Sequence, residues 1–560
     1  MENKKSLFES PLLRTKIKSA NVKIWELLFG YFVGPIGGLL ANGIFTSFLN
    51  KYYTTALFAE QLSNPADPMY GTIQTFLVVL PLVSMVLVIA GNLFAGQLIE
   101  RTRSSAGKAR PWILLSSLTL TISCILMFAA PLFLGQKVDA IAGMILMAIS
   151  YNLYYSFAYP LYNTANSTLI AVSTRNANQR GLLASASNMA VTAGVGLGGM
   201  VFPILLGFMI PEGTTGADAR TAWFVVFLII GLITFLVTVL QYFFTRERVT
   251  EETLYVPQET KETMSMGKQF NALKGDFNWW IILGFVFLFN FGGAMKNLSL
   301  TYYSDLMNTD FIVNLFGVDK SAASGMMMTI FTALGSIPMA AAVAIVWPIS
   351  LKLGKRGVVL GGLAIGILGD LIAQLGGANP IVVGVGIFLK QLGCAPACYM
   401  ILAMVSDTLD HNEARNGFRC DGFTMCLYSA IKAAEVPLAQ AAFNLITSSG
   451  TNEAMFGFSY IWVEGICYAL CIVLFLFYNV EKNLKADQEK IKENQKAAVL
   501  AAGGEWIEPE ERLRRMQEEA DRQAEESRIE ELKAYCAKKG LNFEEEEAKY
   551  QAKKAAKKKK

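Results

Sequence analysis

Long apolar segments alternate with short polar ones along most of the chain. Each apolar segment has about the 20 residues that an α-helix needs to cross a bilayer. Six segments precede a polar stretch and six follow it, which predicts an all-α membrane protein with twelve transmembrane helices in two six-helix bundles. The predicted spans are residues 27–49, 72–99, 111–136, 139–166, 181–210, 221–245, 278–304, 321–350, 357–376, 379–405, 421–447 and 455–479.

The polar segments divide the chain into five predicted regions. The tail is rich in Glu, Lys, Arg, Gln and Ala, and a helix is predicted to begin at Pro509 because proline suits the first position of a helix. The tail partner is unknown: the lysine-rich end can contact anionic membrane lipid, or the tail can be a solvated helix without a specific partner. The regions are a cytoplasmic N-terminal arm at 1–26, an N-terminal bundle at 27–245, a cytoplasmic linker at 246–277, a C-terminal bundle at 278–480 and a charged, helical cytoplasmic tail at 481–560.

Basic residues between the spans indicate the orientation of the chain in the membrane. Loops that follow even-numbered spans are rich in Lys and Arg, whereas the opposite loops hold only Lys51, Lys137, Arg220 and Lys320. The positive-inside rule then predicts a multi-pass protein of the cell membrane with both termini cytoplasmic. This arrangement requires an even number of spans.

Composition and missing motifs exclude several classes of protein. Charged residues are 17% of the chain, against about 25% in soluble proteins, and the mean hydropathy is +0.38. The only histidine is His411, so neither histidine-based catalysis nor a histidine metal cluster can form. A glycine motif at 194–199 lies inside a predicted span and indicates close helix packing. We expect no enzyme, no metal, no cofactor other than a coupling ion, and no nucleic-acid partner.

Two loops carry a resemblance to a known family. Residues 96–114 read GQLIERTRSSAGKARPWIL, and residues 407–422 read DTLDHNEARNGFRCDG. Both resemble the cytoplasmic loops of the glycoside–pentoside–hexuronide:cation symporter family, the melibiose-permease group of the major facilitator superfamily; Asp421 replaces the usual Glu. The resemblance implies the major facilitator fold and cation-coupled symport of a glycoside, oligosaccharide or uronide.

Charged residues at these loops are candidate gating groups. Oppositely charged groups at the ends of helices can hold one access state and release it. The alternative is that they only set the topology and form ordinary surface pairs. The candidates are Glu100, Arg101, Arg103, Lys108, Asp407, Asp410 and Arg419.

The chain departs from the family where the resemblance implies cation coupling. The family has carboxylates in helices one, two and four and an arginine in helix five. The matching positions are here Leu39, Val88, Asn92, Ala158 and Asn188. Coupling to sodium by the usual site is therefore not expected, and a proton, an altered sodium site or uncoupled exchange stay open.

Polar residues within the predicted spans supply the candidate binding and coupling groups. Amide and phenol groups can bond sugar hydroxyls, or can instead join helices to one another. Ionisable groups inside spans are candidates for coupling. Lys432 and Glu435 share one helix face and can pair. The binding candidates are Asn92, Tyr155, Tyr162, Asn163, Asn166, Asn188, Lys296 and Lys432; the coupling candidates are Glu435, Asp370 and Glu464.

The sequence thus predicts a secondary active transporter that works by alternating access. No nucleotide-binding loop of the GxxxxGK[ST] type is present, which disfavours transport driven by ATP. Three alternatives keep the membrane architecture: transport of an amphiphile or organic anion, uncoupled exchange, and a sensor that signals through the tail.

Overall fold

The structure is a computed structural model that describes residues 22–558, apart from short gaps. Nearly all of the described chain is helical. The gaps are residues 103, 105, 136–137, 175–176, 210–215, 249–265, 418–420, 449–452, 502, 504 and 507.

Twelve long helices form the membrane part, six in each half. The first six are α1 (Glu26–Leu57), α2 (Tyr70–Arg101), α3 (Arg110–Met127), α4 (Ala140–Ile170), α5 (Ala177–Met209) and α6 (Gly216–Phe244). The second six are α7 (Phe277–Asp305), α8 and α9 within Lys320–Gly376, α10 (Pro380–Asn416), α11 (Asp421–Ser448) and α12 (Glu453–Leu476).

Eleven of these helices are long and apolar enough to cross a membrane, as judged over the described residues. The twelfth is α11, which packs along α2 and α7 and carries Lys432 and Glu435. Its charges lower its hydropathy, but its position between other spans completes the second bundle. The twelve-helix, two-bundle fold is confirmed.

Several predicted spans differ from the observed helices: α1 continues to Leu57 where the prediction ends at 49, and α10 continues to Asn416 where it ends at 405. The span 111–136 is too long, since α3 ends at Met127 and a separate turn follows at Ala130–Phe133. Pro131 stands near the start of that turn, and proline cannot donate the hydrogen bond that would continue a helix. The predicted loop between α8 and α9 is also shorter than expected. The two helices follow each other in the chain almost without a gap, and a kink at Gly354 (φ 75°, ψ 157°) separates them.

The two bundles meet along three pairs of helices. α2 packs on α11, α5 on α8, and α1 on α7. Within the first bundle α1 also packs closely on α5, where Gly198 lies against the backbone of Ile44. A Cβ on Gly198 would lie 3.0 Å from the Ile44 nitrogen, so the glycine permits this approach. Of the motif glycines, Gly194 makes a similar approach, since a Cβ on it would lie 3.0 Å from the Ile36 carbonyl oxygen, whereas a Cβ on Gly196 would meet no atom within 4 Å.

A buried carboxylate holds the start of α3. Glu247, which follows α6, accepts hydrogen bonds from the backbone N–H groups of Lys108, Ala109 and Arg110 at 2.7–2.8 Å. These N–H groups have no partner within the helix, and a negative charge is favourable at this end of the helix dipole. Glu247 thus joins α6 to α3.

The second bundle repeats this arrangement. Glu481, which follows α12, accepts hydrogen bonds from the N–H groups of Lys355 (2.6 Å) and Arg356 (3.0 Å) at the start of α9. In each bundle an arginine also donates to the backbone carbonyl that lies five residues before the capping glutamate. Arg110 donates to the Tyr242 carbonyl, and Arg356 donates to the Leu476 carbonyl. The same capping arrangement thus recurs at corresponding helices of the two bundles.

Three helices follow the membrane part: α13 (Val480–Ala501), α14 (Pro509–Lys539) and α15 (Phe543–Lys558). α14 begins at Pro509 as predicted. α13 packs against α10, and the Nδ1 atom of His411 lies 2.7 Å from a carboxylate oxygen of Asp487. The first part of the predicted tail is thus attached to the second bundle. The predicted region boundaries otherwise stay predictions.

We predict that Glu247→Ala lowers the free energy of unfolding by about 2 kcal/mol, because it removes a charged acceptor from three N–H groups. Thermal unfolding in detergent measures this. Glu489→Ala, at an exposed position of α13, is the control and is expected to have little effect. Equal effects of the two substitutions would contradict the capping role.

Candidate transport site

A cavity of about 860 Å³ lies between the two bundles, beside α1, α2, α4 and α11. Its walls run along α2 from Val88 to Gln97 and along α4 from Tyr155 to Ser167. It therefore extends from mid-membrane toward the Arg101 end of the bundles, by which we mean the end at which α2 finishes. The polar lining residues are Asn42, Thr46, Asn92, Gln97, Tyr155, Tyr159, Asn163, Thr164, Ser167, Lys432 and Glu435.

The tyrosines of this cavity lie at an irregular part of α4. Residues Leu153–Ala158 form a π-helical segment, and such segments are frequent at functional sites. Tyr155 lies on this segment, and its ring packs 4.7 Å from that of Tyr151. Tyr159 follows one turn later. Phenol rings and hydroxyls therefore face the cavity from one wall.

A smaller cavity of about 250 Å³ adjoins the first. The two share Thr46, Glu435 and Val436, so Glu435 stands where they meet. The smaller cavity reaches into the second bundle and is lined there by the amides Asn290, Asn297 and Gln391, together with Lys296 and Glu464.

Glu435 has no salt-bridge partner among the described residues. Its Oε2 atom is buried and accepts no hydrogen bond there. The pairing of Lys432 with Glu435 that the spacing suggests is not formed; instead the Lys432 Nζ atom lies 6.0 Å from the centre of the Tyr428 ring. A carboxylate and an ammonium group thus stand separately in the cavity wall.

The other charges within the second bundle compensate one another. Lys390 Nζ lies 2.7 Å from a carboxylate oxygen of Asp370 and 2.7 Å from one of Glu464. The other oxygen of Glu464 lies 3.1 Å from Lys296 Nζ and accepts a hydrogen bond from the Tyr468 hydroxyl at 2.8 Å. We call Asp370, Lys390, Glu464 and Lys296 the charge network. It has two positive and two negative groups and joins α7, α9, α10 and α12.

Two predicted sugar-binding residues lie inside the first bundle instead of along the cavity. The Tyr162 hydroxyl donates to the Oε1 atom of Gln241 at 2.8 Å, and the Gln241 amide donates to Asn166 Oδ1 at 2.8 Å. These buried groups join α4 to α6, which is the interhelical alternative that the sequence left open. Gln241 was missed, although a glutamine in an otherwise apolar span is a visible signal.

The structure places the other predicted residues as follows. Asn92, Tyr155, Asn163, Lys432 and Glu435 line the larger cavity, and Lys296 and Glu464 line the smaller one. Asp370 lies in the charge network behind it. The sequence missed Thr46 and Thr164, which line the larger cavity, because threonines are common in ordinary spans. The side chains of Asn188 and Glu100, and residues Arg103 and Arg419, lie outside the described part.

Two of the predicted gating residues make contacts within their own bundle. Lys355 Nζ lies 2.6 Å from Asp407 Oδ2, and both belong to the second bundle. The backbone of Lys108 bonds Glu247 in the first bundle. Asp410 also takes part in a polar or electrostatic interaction. The side chain of Arg101 is exposed to solvent. A latch between the halves by these residues stays a prediction.

The two bundles are joined at the opposite end, which we call the Lys51 end. Lys51 Nζ lies 3.0 Å from Asp305 Oδ2, linking α1 to α7. Nearby, the Thr301 hydroxyl donates to the Ser47 carbonyl at 3.0 Å. The Asn444 amide donates to the Leu77 carbonyl at 2.6 Å, linking α11 to α2. These contacts close the path between the bundles on that side.

Two bundles around a polar cavity, joined at one end, define a secondary transporter of the major facilitator class. A model of the family "MFS/sugar transport protein" matches residues 30–482. The chain belongs to this family. Its members are transporters, as the sequence predicts, and not enzymes.

Curated relatives and solved structures agree with this assignment. The isoprimeverose transporter of Lactiplantibacillus pentosus is 23% identical over 82% of this chain and 90% of its own length. The raffinose carrier protein of Pediococcus pentosaceus is 24% identical over 71% of this chain and 58% of its own length. The inward-open xylose transporter of E. coli aligns with 80% of this chain and 94% of its own, with a TM-score of 0.56 at 15% identity, which shows the shared fold.

We predict that Lys390→Met lowers the apparent melting temperature strongly, because it leaves Asp370 and Glu464 without their shared cation. Removing one partner of a buried ion pair costs about 3–5 kcal/mol. Adding Asp370→Asn restores the balance of Glu464 with Lys296, so the double variant is expected to regain much of the loss. A double variant no more stable than Lys390→Met would contradict charge compensation.

Proposed function

We propose that this protein is a proton-coupled secondary transporter that carries a glycoside, oligosaccharide or uronide across the cell membrane by alternating access. The observation that carries the proposal is the Glu435 carboxylate at the junction of the two cavities, which forms no salt bridge with a described residue.

The lining of the larger cavity supports a sugar as substrate. Amides and hydroxyls from Asn42, Asn92, Asn163 and Thr164 can exchange hydrogen bonds with sugar hydroxyls, and the phenol ring of Tyr155 can pack on the apolar face of a pyranose. A volume of about 860 Å³ suits a disaccharide-sized ligand. Relatives named for isoprimeverose and raffinose transport favour the same class.

Glu435 is favoured as the coupling residue over Asp370 and Glu464. The charges of the latter two are compensated by lysines, so neither needs a proton in this state. Glu435 forms no such salt bridge with any described residue, and a carboxylate charge within a membrane is costly unless it is compensated. Binding of a proton removes that charge, and Gln at this position would mimic the protonated form.

The state of the structure fits one half of an alternating-access cycle. The Lys51 end is closed by contacts between the bundles, and the larger cavity extends toward the Arg101 end. The distribution of Lys and Arg favours the Arg101 end, and both termini, as cytoplasmic. In this orientation the structure is an inward-facing state.

Lys432 supports a second candidate within the same fold. Its exposed ammonium group lines the larger cavity without a salt bridge to a described carboxylate. With Glu435 protonated, this positive charge would suit an anionic sugar or another organic anion. Competition between neutral and anionic sugars for uptake separates the two substrate classes.

We predict that proteoliposomes accumulate labelled isoprimeverose, raffinose or a glucuronide when a proton gradient is imposed. Glu435→Gln is expected to abolish that accumulation, because the amide cannot carry the coupling proton, while exchange of sugar for sugar persists. Uptake of radioactive substrate measures both.

Glu453→Gln, an exposed glutamate at the start of α12, is the matched control and should accumulate sugar normally. Accumulation driven by sodium and unaffected by Glu435→Gln would contradict proton coupling. Exchange without accumulation in the unsubstituted protein would indicate an uncoupled carrier.

A further inference from the structure

A separate cavity of about 460 Å³ lies at the Lys51 end, between the ends of α1, α2, α7 and α11. We call it the vestibule. Its size lies within the roughly 300–1,000 Å³ that is usual for small-molecule sites. Its described lining includes Asn50, Thr54, Tyr302, Phe443, Ser448 and Phe456.

The vestibule lining is polar but uncharged. None of the described residues that line it is acidic or basic, and two charged groups at the same end, Lys51 and Asp305, are paired with each other at 3.0 Å. The larger cavity, by contrast, contains Lys432 and Glu435. The chemistry of the vestibule therefore suits a neutral ligand with many hydroxyl groups more than an ion.

One buried atom in the vestibule lacks a partner. Asn50 is 2% exposed, and its amide nitrogen donates to the Tyr302 hydroxyl at 3.3 Å. Its Oδ1 atom accepts no hydrogen bond from any described residue. A buried acceptor left unsatisfied costs about 1–3 kcal/mol, so a hydrogen-bonding group without a described partner lies directly behind the vestibule wall.

Aromatic rings form the other side of the vestibule. The Tyr302 ring stacks on that of Phe456, with centroids 4.8 Å apart and planes 13° from parallel. It also packs 5.4 Å from the Phe443 ring. Rings held in this way cannot reorient freely, and an apolar face beside hydrogen-bonding amides is the combination that a pyranose ring requires.

A polar stripe on α1 connects the vestibule with the larger cavity. Asn42, Thr46, Asn50 and Thr54 recur at intervals of four residues and so share one helix face. The first two line the larger cavity, and the last two line the vestibule. Between the cavities the bundles touch, as where Asn444 bonds the Leu77 carbonyl.

From these observations we propose that the vestibule is a second binding site, one for a neutral saccharide outside the closed end of the transport path. It holds the sugar before entry into the larger cavity or after exit from it. The role in transport rests on the proposed function, whereas binding itself does not.

Site-specific thiol labelling tests binding in the vestibule. Ser448→Cys places a thiol in the lining, and Ala66→Cys places one in the exposed loop at the same end, outside the vestibule. The purified full-length protein in nanodiscs reacts with a maleimide, and mass spectrometry follows the rate at each position. Isoprimeverose, raffinose and lactose are the probes.

We expect saturating sugar to slow labelling of Ser448→Cys roughly tenfold at about ten times the dissociation constant, and to leave Ala66→Cys unaffected. The protection should persist when Asn163→Trp fills the larger cavity, provided that this variant elutes as a folded monodisperse species. If Asn163→Trp does not elute as a monodisperse species, Thr164→Trp is used as the cavity-filling variant instead.

Two results would overturn the proposal. One is no protection by any of the three sugars; the other is protection that disappears in the variants with a filled larger cavity, since it would then report a conformational change. Uptake into proteoliposomes is measured in parallel. Protection without uptake would keep the vestibule site and reject the proposed sugar transport, so the two failures are distinguishable.

Discussion

A charge inside a membrane persists only where another charge, a hydrogen-bonding group or a proton compensates it. This constraint explains why the charged side chains inside the second bundle lie next to one another. Lys390 lies between Asp370 and Glu464, and Lys296 completes the neutral set, so four helices are joined by groups that none of them could hold alone. Glu435 on α11 departs from this arrangement, because it forms no salt bridge with a described residue, and it is therefore the group proposed to bind the coupling proton.

The two ends of the bundles differ in the kind of contact that stabilises them. At the Lys51 end, polar contacts between the bundles close the path. At the other end, Glu247 and Glu481 fasten the starts of α3 and α9 to their own bundles. Each bundle is thus stiffened internally at one end and joined to its partner at the other. Such an arrangement suits two bodies that rock about a central cavity.

The sequence was sufficient for the fold but only partly for the site. Apolar length and the two loop motifs predict the twelve helices, because both signals are local in the chain. The partners of a buried polar group are not local: Tyr162 and Asn166 resemble cavity residues until Gln241 is seen between them. In the same way, spacing suggests that Lys432 pairs with Glu435, but the lysine lies near Tyr428.

The central claim is that Glu435 binds the coupling proton. The most direct measurement is the pH change when sugar is added to purified protein in weakly buffered detergent solution, followed with a pH-sensitive dye. Proton binding or release in proportion to the protein is expected, and none in Glu435→Gln. A pH change of equal size in that variant, or a sugar that binds the unsubstituted protein without any pH change, would contradict it.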